Sequence, residues 1–169
     1  MFRPDNYLFM NDQKDILDMT CGGRSMWFNK NHPDTLYFDQ RRETHYYDNG
    51  KRTVVDPDVL GDFRNLPFDD ETFWHVVFDP PHIKGLSESS YMFKKYGTLS
   101  FDWRNHITQG FHEAMRVLKP NGTLIFKWNE GSFKVSEVLK MIPYQPLYGH
   151  PTSKNGDTKW MAFIKRVVT

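Results

Sequence analysis

The chain of 169 residues is long enough for a substantial core, and we expect a single domain spanning residues 1–169. A net charge of +1 argues against binding a polyanion through bulk charge alone, although it leaves room for a local basic patch. One cysteine excludes an intrachain disulfide framework and fits a reducing compartment. No apolar run approaches the length of a membrane span, and residues 1–14 are too polar for a signal peptide. We therefore expect a cytoplasmic protein with no membrane partner, whose residues 1–14 form an N-terminal arm.

The first chemical signal is a glycine turn after a short apolar stretch. Residues 15–20 predict a strand, Cys21-Gly22-Gly23-Arg24 forms the turn, and residues 25–31 predict a short helix. Strand, glycine turn and helix open a nucleotide-binding βαβ unit, because glycine lets the backbone approach a ligand. The motif is weak by itself, since it is neither G-x-G-x-x-G nor a P-loop, and an ordinary turn fits it equally well.

Three acidic residues follow successive predicted strands. Asp39 ends the strand 35–38, and Asp62, followed by Phe63, comes after a weak third strand within residues 54–60 that is broken by Pro57. Asp79 follows the apolar run 76–78. One such residue is more often a turn residue or a helix cap. Three in series predict a ligand site along one edge of a sheet, where open α/β folds bind their ligands.

The corner Asp79-Pro80-Pro81-His82 ends the fourth predicted strand. Two prolines stop the strand and make the corner stiff, because proline cannot donate to a ladder and restricts the residue before it. The corner offers a carboxylate, a proline carbonyl and an aromatic ring. These groups suit a planar amine, whose two N–H groups need two rigidly placed acceptors.

Residues 83–102 predict a long loop that carries lysines among aromatic rings. Such loops are commonly lids or binding loops, and cations interleaved with rings suit single-stranded nucleic acid. A loop that packs its rings inward and solvates its lysines is an equally good interpretation.

The remaining pattern completes an α/β chain. It predicts helices over 103–119 and 131–141, a turn at 120–122, a buried strand over 123–128, a final strand pair over 144–148 and 159–167, and a flexible polar loop between that pair.

Together, the glycine turn, Asp39, Asp62-Phe63 and the Asp-Pro-Pro-His corner resemble the class I S-adenosylmethionine-dependent methyltransferases over about residues 15–167. The resemblance implies a Rossmann-like α/β fold with a mostly parallel seven-stranded sheet, an antiparallel terminal strand and helices on both faces. The corner is similar to that of the amino-methyltransferases, which act on exocyclic nitrogens of nucleobases, most often adenine N6 in DNA. The short chain and its tail resemble small methyltransferases of phage and prophage.

The resemblance also implies roles for individual residues, with S-adenosylmethionine as the cofactor and no metal. The implied catalytic residues are Asp79, Pro80, Pro81 and His82. The implied cofactor-binding residues are Asp18, Thr20, Cys21, Gly22, Asp39, Asp62, Phe63 and Asp79. The loop 83–102, by its own pattern of cations and rings, supplies the expected substrate-binding residues Lys84, Lys94, Lys95 and Tyr96.

Three departures keep alternatives open. Of the glycines in the family's D-x-G-x-G-x-G motif, this chain keeps only Gly22, and His82 stands where the family has Tyr, Phe or Trp. A separate target-recognition domain has no room here, so a homodimer or a partner protein would have to supply recognition of a defined site. The alternatives are a methyltransferase of adenine N6 or guanine N2 in RNA, and a non-catalytic nucleic-acid-binding or partner subunit that retains the fold.

Overall fold

The computed structural model describes residues 14–166, which contain nine strands and three helices. The strands are β1 (Ile16–Asp18), β2 (Thr35–Asp39), β3 (Glu43–Tyr46), β4 (Arg52–Val55), β5 (Val59–Leu60), β6 (Phe73–Phe78), β7 (Leu118–Asn129), β8 (Tyr148–Thr152) and β9 (Thr158–Ile164). The helices are α1 (Tyr91–Tyr96), α2 (Trp103–Val117) and α3 (Val135–Met141).

Seven strands form one sheet in the order β5-β2-β1-β6-β7-β9-β8. The chain's last strand, β9, runs antiparallel to both of its neighbours, and every other pairing in this sheet is parallel. The Rossmann-like α/β fold, with its mostly parallel seven-stranded sheet and antiparallel terminal strand, is therefore confirmed. Parallel strands end together, so β1, β2, β5 and β6 present their carboxyl ends at one edge.

Helix α2 packs its apolar stripe on the centre of the sheet. Phe111 is fully buried, and its ring lies 5.7 Å from that of Phe78 on β6 and 4.7 Å from that of Phe126 on β7. The helix approaches the sheet closely at Gly110, where an added Cβ would lie 2.6 Å from the Phe78 ring. Helix α3 packs against α2. This aromatic core fixes the end of β6, and with it the corner that begins at Asp79.

The opposite face of the sheet carries Asp18 and Tyr37, which are register partners on β1 and β2. Trp27 contacts both residues, and the guanidinium of Arg24 lies 3.8 Å from the Tyr37 ring centroid. The prediction of a helix over 25–31 was wrong, because this segment forms turns. The Trp27 indole donates to Asp18 on β1, and the Asn29 side chain accepts from the Asn31 N–H. Asparagines with a following proline also do not favour a helix.

In the sequence, a β-hairpin of β3 and β4 separates β2 from β5 and forms a two-stranded sheet of its own. Val54 and Val55 were expected in the third strand of the sheet, but they lie in β4, which pairs with β3 across the turn at Asn49-Gly50. Gly50 has a φ of +75°, which suits the tight turn and favours glycine. The third strand of the sheet is therefore reduced to the two residues of β5.

Two further boundaries differ from expectation. The segment 83–102 is not a structureless loop, since it contains α1, which Ser90 caps by accepting from the Phe93 N–H. The final strand pair is β8 and β9. The strand expected at 144–148 instead begins at Tyr148, and half of the expected polar loop over 149–158 is strand. The N-terminal arm, apart from Lys14, and the expected end of the last strand at Val167 lie outside the described residues. Among the helices of residues 14–166, none has the length and apolar character that crossing a bilayer requires.

Candidate active site

A cavity of about 740 Å³ opens at the carboxyl ends of β1, β2 and β6. The glycine turn after β1 forms one wall, the β3–β4 hairpin a second, and α1 a third. The hairpin and α1 meet over the cavity through the rings of Tyr47 and Tyr91, whose centroids are 4.8 Å apart. The sequence-predicted residues that line this cavity are Thr20, Cys21, Gly22, Asp39, Phe63, Asp79, Pro81, Lys95 and Tyr96.

Asp39 ties the glycine turn to the end of β2. One carboxylate oxygen accepts from the Gly22 N–H at 2.8 Å, and the other accepts from the Arg41 N–H at 2.9 Å. The φ of Gly22 is +49°, a left-handed conformation that suits glycine. The carboxylate therefore fixes the turn while lying at the cavity wall.

Thr20 and Arg24 stand where the D-x-G-x-G-x-G motif has its first and last glycines, and both replacements have structural consequences. The Thr20 hydroxyl accepts from the Asp79 N–H at 2.8 Å, so a side chain in place of a glycine links β1 to the corner. Arg24 has a φ of +53°, the left-handed conformation that glycine adopts most readily. The turn thus keeps a glycine-like path at Arg24, whose side chain bonds to the Asp56 carbonyl at 2.7 Å.

Asp18 lies beneath the turn and does not line the cavity. Its carboxyl group is completely buried and accepts from the Trp27 indole N–H at 2.7 Å and from the Thr20 N–H at 3.3 Å. Burial raises its pKa from the usual 3.8 to about 7, against the lowering effect of these two bonds. Asp18 therefore braces the turn from below.

Asp79 lines the cavity with one carboxylate oxygen hydrogen-bonded and the other, which lies 3.9 Å from His82 Nδ1, without a hydrogen bond. Phe78 and Phe126 are register partners, so the next residues, Asp79 and Lys127, are adjacent. The Lys127 ammonium donates to Oδ2 at 2.6 Å. The other oxygen, Oδ1, is buried and accepts no hydrogen bond from any of the described residues. A buried acceptor without a donor is costly, and it is a common feature of a site that a ligand completes.

His82 is turned back into the corner. Its Nδ1 lies 3.1 Å from the Pro80 carbonyl, to which it donates when that nitrogen carries the proton. The ring lies edge-on to Trp128 at 6.2 Å, and burial lowers its pKa below the usual value. His82 lines neither this cavity nor the smaller one beside it, so stacking against a target ring would require the side chain to move.

The smaller cavity, of about 140 Å³, adjoins the first. Phe63 and Pro81 line both cavities, and Pro80 lines the smaller one. Asp62 lines neither, because its carboxylate bonds to the Arg64 guanidinium at 2.8 Å, which lowers its pKa. A contact between Asp62 and a cofactor ring would therefore compete with Arg64.

The predicted lysines divide into two groups. Lys95 and Tyr96 line the large cavity, with the Lys95 ammonium 4.9 Å from the Tyr96 ring centroid. Lys84 and Lys94 line neither cavity, although the Lys94 carbonyl accepts from Arg41 at 3.4 Å. The segment 83–102 thus contributes one cation and two tyrosines to the wall.

Sequence reasoning missed Lys127 and the cavity-facing part of the hairpin, which includes Tyr47, Lys51 and Arg52. A lysine inside the apolar run 123–128 was a usable signal, because a buried cation needs a carboxylate partner. The hairpin had the Asn49-Gly50 turn as its signal.

Neither a protein-family model nor a curated protein sequence matches the chain. Solved structures do match its fold. A protein from Pyrococcus horikoshii OT3 superimposes with a TM-score of 0.58 at 14% identity, covering 92% of this chain and 84% of that one. A S-adenosylmethionine-dependent methyltransferase from Methanosarcina mazei gives 0.53 at 12% identity, covering 92% and 95%.

A third structure comes from Haloferax volcanii, a putative methyltransferase in complex with the Trm112 methyltransferase activator. It gives a TM-score of 0.53 at 13% identity, covering 92% of this chain and 84% of that one. These identities establish likeness of fold and leave the reaction to be argued from the site. The chain has the Rossmann-like fold of the S-adenosylmethionine-dependent methyltransferases.

Proposed function

We propose that this protein transfers a methyl group from S-adenosylmethionine to an exocyclic amine of a nucleobase, with adenine N6 in DNA as the first candidate. The observation that carries the proposal is Asp79 Oδ1, a buried acceptor that receives no hydrogen bond from residues 14–166, on a side chain that lines the cavity. Lys127 donates to the other oxygen, so Oδ1 is the oxygen that an N–H donor would have to reach.

The residues around the large cavity fit the cofactor. Gly22 and Gly23 leave the wall without side chains, and a Cβ at Gly23 would lie 3.4 Å from the Val54 carbonyl. Asp39 and Asp79 offer carboxylates to the cationic and hydroxyl groups of such a ligand. Phe63 and Pro81 supply flat apolar walls for its adenine. When bound, S-adenosylmethionine supplies an activated methyl group, so the chain itself needs no nucleophile. The bond from the methyl group to sulfur would break as its bond to the amine nitrogen forms, which leaves S-adenosylhomocysteine as the product and one amine proton for Asp79 to accept.

The corner supplies what the amine requires. The lone pair of an exocyclic amine is delocalised into the base, so hydrogen bonds from its N–H groups to Asp79 Oδ1 and the Pro80 carbonyl would draw that nitrogen towards tetrahedral geometry. His82 now bonds to the Pro80 carbonyl, and it must release this oxygen for the amine to use it. Release would also free the imidazole to stack on the base. The proposal also includes a second copy of the chain, or another protein, that would help to recognise the target nucleic acid.

The test is transfer of labelled methyl groups into duplex DNA, single-stranded DNA and RNA, with mass spectrometry of the nucleosides. Asp79→Ala should lower turnover by about 100-fold or more, the loss typical of removing one preorganised polar contact. A matched control is Asp69→Ala, which removes an exposed carboxylate remote from both cavities. The double variant Asp79→Leu with Lys127→Met removes both charges, so its inactivity cannot be blamed on a buried unpaired lysine.

Label in N6-methyladenine of DNA, lost in both Asp79 variants, supports the proposal. Label only in RNA moves the substrate to RNA at the same site. Cofactor binding without transfer to any nucleic acid would overturn the enzymatic proposal and favour a non-catalytic subunit.

A further inference from the structure

The wall of the large cavity is far more cationic than the chain as a whole. The full chain has a net charge of +1, yet six cationic side chains line this cavity against three carboxylates. The cations are Arg24, Lys30, Arg41, Lys51, Arg52 and Lys95, and the carboxylates are Asp39, Asp56 and Asp79.

Each of the three carboxylates already has a cationic partner. Asp79 pairs with Lys127 at 2.6 Å. Asp56 pairs with Arg42 at 3.3 Å, and Asp39 pairs with Arg41 at 3.5 Å. These pairs leave little negative charge to neutralise the other cations of the wall.

Four of the six cations have no carboxylate partner within residues 14–166. They are Lys30, Lys51, Arg52 and Lys95, and we name this set the cationic rim. The first three are exposed, while Lys95 lies over the rings of Tyr91 and Tyr96. The rim is thus a concentration of positive charge on three different segments that face one opening.

The hairpin adds an exposed ring to this charge. Tyr46 is the register partner of Arg52, so the two side chains share one face of the hairpin, and 74% of Tyr46 is exposed. A guanidinium beside an exposed ring is the arrangement on which unpaired bases stack. The methionine carboxylate of the cofactor is a single negative charge, which four cations exceed.

We propose that the cationic rim binds the phosphodiester backbone of single-stranded or locally unpaired nucleic acid, with the β3–β4 hairpin as the main contact. The backbone would cross the cavity mouth between the hairpin and α1, and Tyr46 would stack on a base beside the one that enters towards Asp79. This inference rests on the proposed function and assigns recognition to a hairpin within the domain.

The test measures the affinity of labelled single-stranded DNA and RNA oligonucleotides for the full chain at a series of salt concentrations. Lysine and arginine contacts to single-stranded phosphates each contribute about 0.7 to the slope of log affinity against log salt. The double variant Lys51→Gln with Arg52→Gln should therefore lower that slope by about 1.4. The ratio of wild-type affinity to variant affinity should therefore fall about sevenfold between about 50 and 200 mM salt.

A matched control is Lys134→Gln with Lys140→Gln, two exposed lysines at α3 that line neither cavity. Its slope should equal that of the wild type. Tyr46→Ala should weaken binding about tenfold with no change of slope, because stacking is not ionic.

Calorimetric measurement of cofactor binding by the same variants separates the two proposals. Equal slopes for the hairpin variant and the control would overturn the proposal that the cationic rim binds phosphates, even if methyl transfer to a nucleobase occurs. Loss of slope in the hairpin variant supports the rim, whichever nucleic acid is modified. Absence of binding to every oligonucleotide would overturn the rim, while cofactor binding and transfer to a free nucleoside would still support the enzyme.

Discussion

Two regions of the domain are stabilised in different ways. Around β6, α2 and β7, fully buried rings such as Phe78, Phe111 and Phe126 form a continuous core. In residues 19–60, the turn and the hairpin are secured by single polar contacts, among them the Asp39 carboxylate on the Gly22 N–H and Arg24 on the Asp56 carbonyl. The first region supports the corner and the second encloses the cavity. A rigid core that supports a cavity wall held by hydrogen bonds is an arrangement that suits a binding site.

The largest expected effect is a loss of stability when the aromatic core is disrupted. Phe111→Ala should lower the free energy of unfolding by about 3–5 kcal/mol, because it leaves a cavity among three packed rings. This loss is measured by urea unfolding, with circular dichroism as the signal. The matched control is Phe101→Ala, whose ring is 99% exposed, and which should change stability by about 0.5 kcal/mol or less. Similar losses in the two variants would contradict the assignment of the core.

A second effect, dependent on pH, is expected beneath the glycine turn. The pKa of Asp18 is about 7 in the folded protein against a usual 3.8, so between these values the folded chain holds a proton that the unfolded chain has released. This one group should therefore make the free energy of unfolding fall as pH rises from about 4 to about 7, by up to about 1.4 kcal/mol per pH unit. Below about pH 4 and above about pH 7 its contribution should be constant.

The measurement is a series of urea titrations across that pH range. Asp18→Asn should remove this part of the slope, because its side chain cannot ionise. The exposed Asp15→Asn is the matched control and should keep the wild-type slope. Identical slopes in the wild type and Asp18→Asn would show that the buried carboxyl is not the group that titrates.

The same contrast explains what could be predicted from the sequence. The i, i+4 spacing from Trp103 predicted α2 to within two residues of its end, and the apolar run 76–78 located the end of β6, since burial leaves a periodic pattern. The turns at 25–31 were missed because single side-chain bonds, such as that from Trp27 to Asp18, leave no period in the sequence. The hairpin at 43–55 was missed although Asn49-Gly50 signals its turn, because β3 and β4 carry no run of buried residues. The pairing of Asp79 with Lys127 depends on the register between two strands, which local sequence does not specify.

The central claim is that the cavity at the strand ends binds S-adenosylmethionine, and calorimetric titration of the cofactor into the purified chain tests it most directly. We expect saturable binding with one site per chain. Asp39→Ala should weaken it at least tenfold, because the variant loses both a wall carboxylate and the tie to Gly22. Asp34→Ala, which removes an exposed carboxylate at the other end of β2, should bind like the wild type. Binding that Asp39→Ala leaves unchanged, or no binding by the wild-type chain, would contradict the assignment of this cavity to the cofactor.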